Sequence, residues 1–116
     1  MLSLITSSVI SQTVEQSIGR ECKNFHSKTV DEIATAPKRY HGKRIRVYGW
    51  FSVEFENYSV SSEKNSIWLV MDEDNIDKRK GFNGKKGYVC GIFDSTNTGH
   101  LGLWSGAIHS ISRMGK

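Results

Sequence analysis

The chain of 116 residues holds two cysteines, one proline and no apolar run long enough to span a bilayer. Cys22 and Cys90 stand far apart with no histidine at a metal-ligand spacing, which excludes a zinc site. No spacing rule joins them, so a disulfide is open and reduced thiols in a cytoplasmic protein are the expectation. At the start, Leu2, Leu4, Ile5, Val9 and Ile10 follow no basic residue and are interrupted by Ser and Thr. That makes a poor secretory signal, and export is the alternative to a cytoplasmic location.

Catalytic constellations are missing too. His26, His41, His100 and His109 form no His-Glu-x-x-His pattern and have no cysteine pair near them. Gly99, Gly102 and Gly106 lead into a strand pattern rather than a helix, so they do not cradle phosphate; they permit tight turns. His100 among them suits either a structural bond to a loop carbonyl or a contact with a partner. Ser105 lacks the Gly-x-Ser-x-Gly elbow. Glu54 and Glu56, read on one strand face, would stand about 7 Å apart in solvent, where nothing raises a carboxyl pKa. The chain reads as a non-enzyme with no metal and no cofactor.

What is present is enough apolar and aromatic surface, 37% and 10% of residues, for one packed domain. The net charge of +4 is modest but segregated. Lys38, Arg39, Lys43, Arg44 and Arg46 form one basic group, and Lys78, Arg79, Lys80, Lys85 and Lys86 another. Glu54, Glu56, Glu63, Asp72, Glu73 and Asp74 gather the acids. Such patterning suits a complementary partner surface, and solvated loops produce the same runs.

The strongest signal begins at Arg44. Ile45, Val47, Gly49, Phe51, Val53 and Phe55 alternate with Arg44, Arg46, Tyr48, Trp50, Ser52, Glu54, Glu56 and Tyr58. Period two over this length predicts one long strand with its apolar side inward. Tyr48 and Trp50 then face outward among charges.

Elsewhere, residues 1–27 read as an N-terminal helix or arm that packs on a domain spanning 28–116. Thr29 with Glu32 has the form of a capping box, so a short helix starts there and stops at Pro37. Further strands are expected at Ser66–Met71, Gly87–Phe93 and Ala107–Arg113, with a charged loop at Asp72–Lys86. Asp94–Gly106 reads as a shaped loop or a short broken strand. Gly49 and Gly91 are natural sites for bulges or bends. The pattern predicts a mainly β fold: a small five-stranded barrel with an N-terminal helical segment and a short helix before the first strand.

The run Pro37-x-x-Tyr40-x-Gly42-Lys43-x-Ile45-x-Val47-x-Gly49 resembles the opening of OB-fold-like bacterial domains. Tyr88–Asp94 followed by Gly99-His100-Leu101-Gly102-Leu103-Trp104-Ser105-Gly106 is similar to a group of small uncharacterised bacterial proteins. The resemblance covers roughly Thr29 to Met114 and implies an OB-like barrel without implying an activity.

Two functions fit the outer stripe. In the first, Arg44, Arg46, Tyr48, Trp50, Glu54 and Glu56, with Lys85, Lys86, His100 and Trp104, contact a protein partner. Tyr, Trp and Arg are the residues that concentrate binding energy at interfaces. A small non-catalytic bacterial protein of this kind often serves as an inhibitor, such as an immunity protein that caps a toxin domain. In the second, Tyr48, Trp50 and Trp68 stack the bases of single-stranded nucleic acid, and Arg44, Arg46, Lys85 and Lys86 neutralise phosphates. Glu54 and Glu56 oppose that reading. A third arrangement covers Tyr48 and Trp50 with the N-terminal helix and places Trp68 and Trp104 in the core. Function would then lie in the loops Asp72–Lys86 and Asp94–Ser105. The sequence carries no indication of oligomeric state.

Overall fold

The computed structural model describes Cys22 and residues 24–116. The alternation that starts at Arg44 forms β2 (Arg44–Glu54), whose Ile45, Val47, Gly49, Phe51 and Val53 are buried while Arg44, Tyr48, Trp50 and Glu54 are exposed. Before it come β1 (His26–Thr29), α1 (Val30–Thr35) and α2 (Pro37–Tyr40). After it follow β3 (Asn57–Ser61), β4 (Ser66–Leu69), α3 (Glu73–Arg79), β5 (Lys86–Asp94) and β6 (Ala107–Gly115).

All six strands belong to one sheet in the order β1-β2-β3-β4-β6-β5. A further antiparallel pairing of β2 with β5 closes five of them into a ring, and β4 and β6 are its one parallel pair. β1 lies outside the ring, parallel to β2. Inside the ring, Ile45, Val47, Phe51 and Val53 of β2 meet Val60, Ile67, Leu69, Val89, Phe93 and Ile108. Each such side chain stabilises the fold by about 1.5–3 kcal/mol relative to exposure.

The capping box forms as expected. The Glu32 N–H donates to Thr29 Oγ1 (3.0 Å), and the Thr29 N–H donates to Glu32 Oε1 (3.1 Å). The helix it starts sends Val30 and Ile33 into the core. Asp31, on its outer side, accepts from Ser62 Oγ (2.6 Å) and Asn65 Nδ2 (2.8 Å), which fastens α1 to the β3–β4 turn. Those two bonds hold the Asp31 carboxyl below its ordinary pKa. The helix ends before Pro37, which instead opens α2 at its first turn, where a missing N–H costs nothing.

Several expectations are corrected. The stripe from Arg44 to Tyr58 is two strands, not one: the chain reverses at Phe55–Glu56, and β3 pairs antiparallel with β2. Glu56 takes a positive φ of 59° there, and Phe55, expected inside, is 87% exposed. Tyr58, expected outside, packs against the core. The stretch Asp72–Lys86 is not a loop throughout. Asp72 caps α3 by accepting from the Asn75 N–H (2.8 Å), and a 3-10 turn follows at Lys80–Phe82. The stretch Asp94–Gly106, expected as a shaped loop or a short broken strand, is the loop: Asp94 ends β5, and a 3-10 turn falls at His100–Gly102. The helix or arm expected over 1–27 lies mostly outside the described residues. Cys22 and Asn24 lie in turns, and His26 enters β1.

Cys22 and Cys90 are joined in a disulfide, which overturns the expectation of reduced thiols. Gly91 sits where the β5–β6 register shifts, as a bulge site should. Among the described residues no helix is long and apolar enough to cross a membrane.

Candidate interaction surface

β2 is flanked by β5 along Arg44–Trp50, and on its other side by β1 and then β3. Directly paired residues share a face, so Lys86, Trp50, Ser61 and Ser66 form one row across four strands. Ser52, Ser59 and Trp68 form the next row. Trp50 and Trp68 therefore stand on the same outer surface, one row and two strands apart.

Tyr48 and Trp50 are half exposed, at 50% and 52%. The Lys86 ammonium lies 5.9 Å from the Trp50 ring centre. Tyr48 leans against Tyr88 with ring centres 6.0 Å apart. Tyr88 is 2% exposed although it points to the outer side of β5, because it is roofed. The Arg46 guanidinium stacks 4.5 Å from its ring centre, and Arg113 Nε donates to its hydroxyl (2.7 Å). Cys22, Cys90 and Phe25 pack against the same ring. The disulfide thus pins the segment before β1 over this patch. Arg44 is exposed, 5.9 Å from the Phe25 ring centre.

A second group forms where the β2–β3 turn meets the loop between β5 and β6. His100 Nε2 lies 3.6 Å from Glu56 Oε2, within ion-pair reach when the imidazole is protonated. Trp104 meets Trp68 edge to face with ring centres 4.7 Å apart, and the Tyr58 ring centre lies 5.7 Å from that of Trp68. Gly99 makes this possible. Its φ of 75° suits glycine, and a Cβ there would stand 2.9 Å from both Trp68 Cγ and Trp104 Cε3. The loop leaves Leu101 and Leu103 78% and 72% exposed.

The residues singled out from sequence accordingly divide. Arg44, Arg46, Tyr48, Trp50 and Lys86 come together. Glu56, His100 and Trp104 belong to the second group. Glu54 accepts from Asn83 Nδ2 (3.1 Å) and Lys85 lends its backbone carbonyl to the Phe51 N–H (2.8 Å), so both serve the end of β2. Glu54 and Glu56 do not share a strand face, since the chain turns between them and β3.

Sequence reasoning missed Tyr88, the centre of the first group, and Lys28, which β1 brings beside Val47. Tyr88 stood in an apolar run, Tyr88-Val89-Cys90, and a run without alternation signals burial on both faces. Nothing in His26–Thr29 announces a parallel partner. Among the described residues no cluster of three or more His, Cys, Asp or Glu is arranged to hold a metal ion. Neither a known protein-family model nor a curated protein matches the sequence.

Proposed function

We propose that this protein is a non-catalytic binding module that docks on a protein partner through Arg46, Tyr48 and Trp50 and acts by covering it. The observation that carries the reading is the half-exposure of Tyr48 and Trp50 on a strand whose intervening residues Val47, Gly49 and Phe51 are buried. The strand holds both rings before any partner arrives, so little conformational entropy is lost on binding. Arg46 and Lys86 beside them supply the mixed aromatic and cationic surface on which binding energy concentrates.

Single-stranded nucleic acid is the second reading, and strand order favours it. The ring β2-β3-β4-β6-β5 with β4 parallel to β6 supports an OB-like barrel, a fold that often stacks bases on outer aromatics. The Cys22–Cys90 disulfide supports a non-reducing, exported setting over the cytoplasm.

Cross-linked capture from the native host with the wild-type protein, and with Tyr48→Ala/Trp50→Ala as control, identifies the partner. Titration of that partner should then show a loss of about 2–4 kcal/mol in the double variant. Equal affinity would remove this face. Affinity for a single strand that falls steeply with salt would replace the protein reading with the nucleic-acid one.

A further inference from the structure

We infer that the cleft between β1 and the first half of β2 receives a carboxylate side chain of the protein partner, held by the Arg46 guanidinium. The inference rests on the protein-recognition reading and adds the chemistry that the partner must present.

The cleft is lined by Ser27, Lys28, Thr29, Glu32, Arg46 and Tyr48 and encloses about 310 Å³. It exists because β1 runs parallel to β2, setting Ser27 beside Arg46 and Thr29 beside Tyr48, while α1 turns away with Glu32 at its first turn. Three charges line it, and two of them answer each other. Lys28 Nζ lies 3.9 Å from Glu32 Oε2, and Glu32 Oε1 is taken by the Thr29 N–H at 3.1 Å.

Arg46 is the charge left over. Among the described residues no carboxylate oxygen lies within ion-pair distance of it. Its Nε is buried without a hydrogen-bond partner. What holds the side chain is the Tyr88 ring, 4.5 Å below the guanidinium. A half-buried cation held by stacking rather than by an anion keeps its demand for one, and a fixed planar fork matches a carboxylate through two parallel N–H donors. Tyr48, half exposed at the rim, supplies a ring for the carbon chain that carries the acid.

A carboxylate fits better than a phosphodiester. Glu32 forms one wall of the same cleft, and a phosphate chain would have to pass it along its length, whereas a single acid meets Arg46 alone. The order of preference is therefore a specific prediction.

The test uses the full oxidised chain, ¹⁵N-labelled, with the Arg46 Nε–Hε signal as the readout. The probes are Ac-Leu-Glu-Leu-NH₂, its Gln counterpart and inorganic phosphate. The Glu peptide should shift Arg46 saturably and bind about tenfold tighter than the Gln peptide, the size of one charge-assisted pair. Arg46→Gln should abolish that preference, and Arg46→Lys, which keeps the charge but not the fork, should retain only part of it. Unchanged Val60 and Ile67 amide signals, from core residues of β3 and β4, certify the fold of each variant.

Equal binding of the two peptides, or phosphate acting at lower concentration than the Glu peptide, would overturn the inference. Glu63→Ala, in the exposed β3–β4 turn, should keep the Glu preference. If partner binding depends on Trp50 while the wild type shows no Glu preference, the recognition reading stands and the carboxylate clamp alone is lost. If the Glu preference holds and Tyr48→Ala/Trp50→Ala binds the partner normally, the clamp stands without that face.

Discussion

Cys22 is bonded to Cys90 across 68 residues of sequence, from the segment before β1 to the middle of β5. Cys90 is fully buried and pairs in register with Arg46 on one side and Arg113 on the other, so the link lies beneath the patch that carries Arg46 and Tyr88. Closing a loop of this length restricts the unfolded chain by about 4 kcal/mol in the chain-entropy account. Cys22→Ser/Cys90→Ser should lose about 2–5 kcal/mol in denaturant unfolding. Dithiothreitol should lower the wild-type midpoint and leave the double variant unmoved.

Acid should loosen α1 first. The Asp31 carboxyl is held below its ordinary pKa by bonds from Ser62 and then Asn65, and Glu32 is held low chiefly by the Thr29 N–H. A carboxyl whose folded pKa is depressed contributes stability above its unfolded value, and that stability is lost as pH falls through the lower folded value. Asp94 behaves alike through the Thr96 hydroxyl and N–H. Wild-type stability should therefore decline below about pH 4, the unfolded carboxylate range. Asp31→Asn should start lower and show a shallower decline, measured by unfolding midpoints between neutral and acid pH. An unchanged slope would show that the Ser62 and Asn65 bonds do not favour the ionised form.

Gly99→Ala should separate the two indoles. The new methyl would press on Trp68 and Trp104 at 2.9 Å, at a φ of 75° that alanine disfavours. The expected cost is about 1–3 kcal/mol, with loss of the near-UV circular dichroism of the coupled rings. A full signal at wild-type stability would mean that the loop accommodates the methyl with the two indoles still in contact.

These contacts also mark where the sequence ceased to be legible. β2 could be read because the ring interior demands an apolar residue at every second position, and Ile45 to Val53 supply it. The turn at Phe55–Glu56 could not, since polar and aromatic residues keep alternating through Tyr58 while the chain reverses. Only a positive φ at Glu56, a position usually given to glycine or asparagine, makes the turn. α3 was hidden by charge: Glu73–Arg79 is nearly all polar, and Ile76 alone reaches the core from it. Pairings that depend on distant partners left no local trace, as for His26–Thr29 against β2 and Cys22 with Cys90. The outer stripe was legible as composition, but its division into a Tyr88 patch and a Trp68–Trp104 patch depends on the ring.

Asn83 should prove structural although it is exposed. Its Oδ1 accepts the Val53 N–H (2.9 Å) and its Nδ2 donates to Glu54 (3.1 Å), taking the place of a strand beside the end of β2. Asn83→Ala leaves the Val53 N–H without its partner and should cost about 1–3 kcal/mol. Asn83→Asp retains the acceptor but faces Glu54 with a second carboxylate, so it should recover stability only as pH falls. Hydrogen exchange at the Val53 amide reports both changes directly.

The sharpest test of the surface lies in two adjacent residues. Phe51 is 1% exposed and meets Phe82 edge to face at 5.5 Å, while Trp50 is 52% exposed against Lys86. Truncating Phe51 opens a cavity in the ring, and Phe51→Ala should cost about 3–5 kcal/mol. Trp50→Ala removes a larger side chain yet should cost less than about 1 kcal/mol, because half of it already faces water. Denaturant unfolding of the two variants gives the ratio. Comparable losses would mean that Trp50 is packed under a covering segment, and a covered Trp50 is not available to a partner.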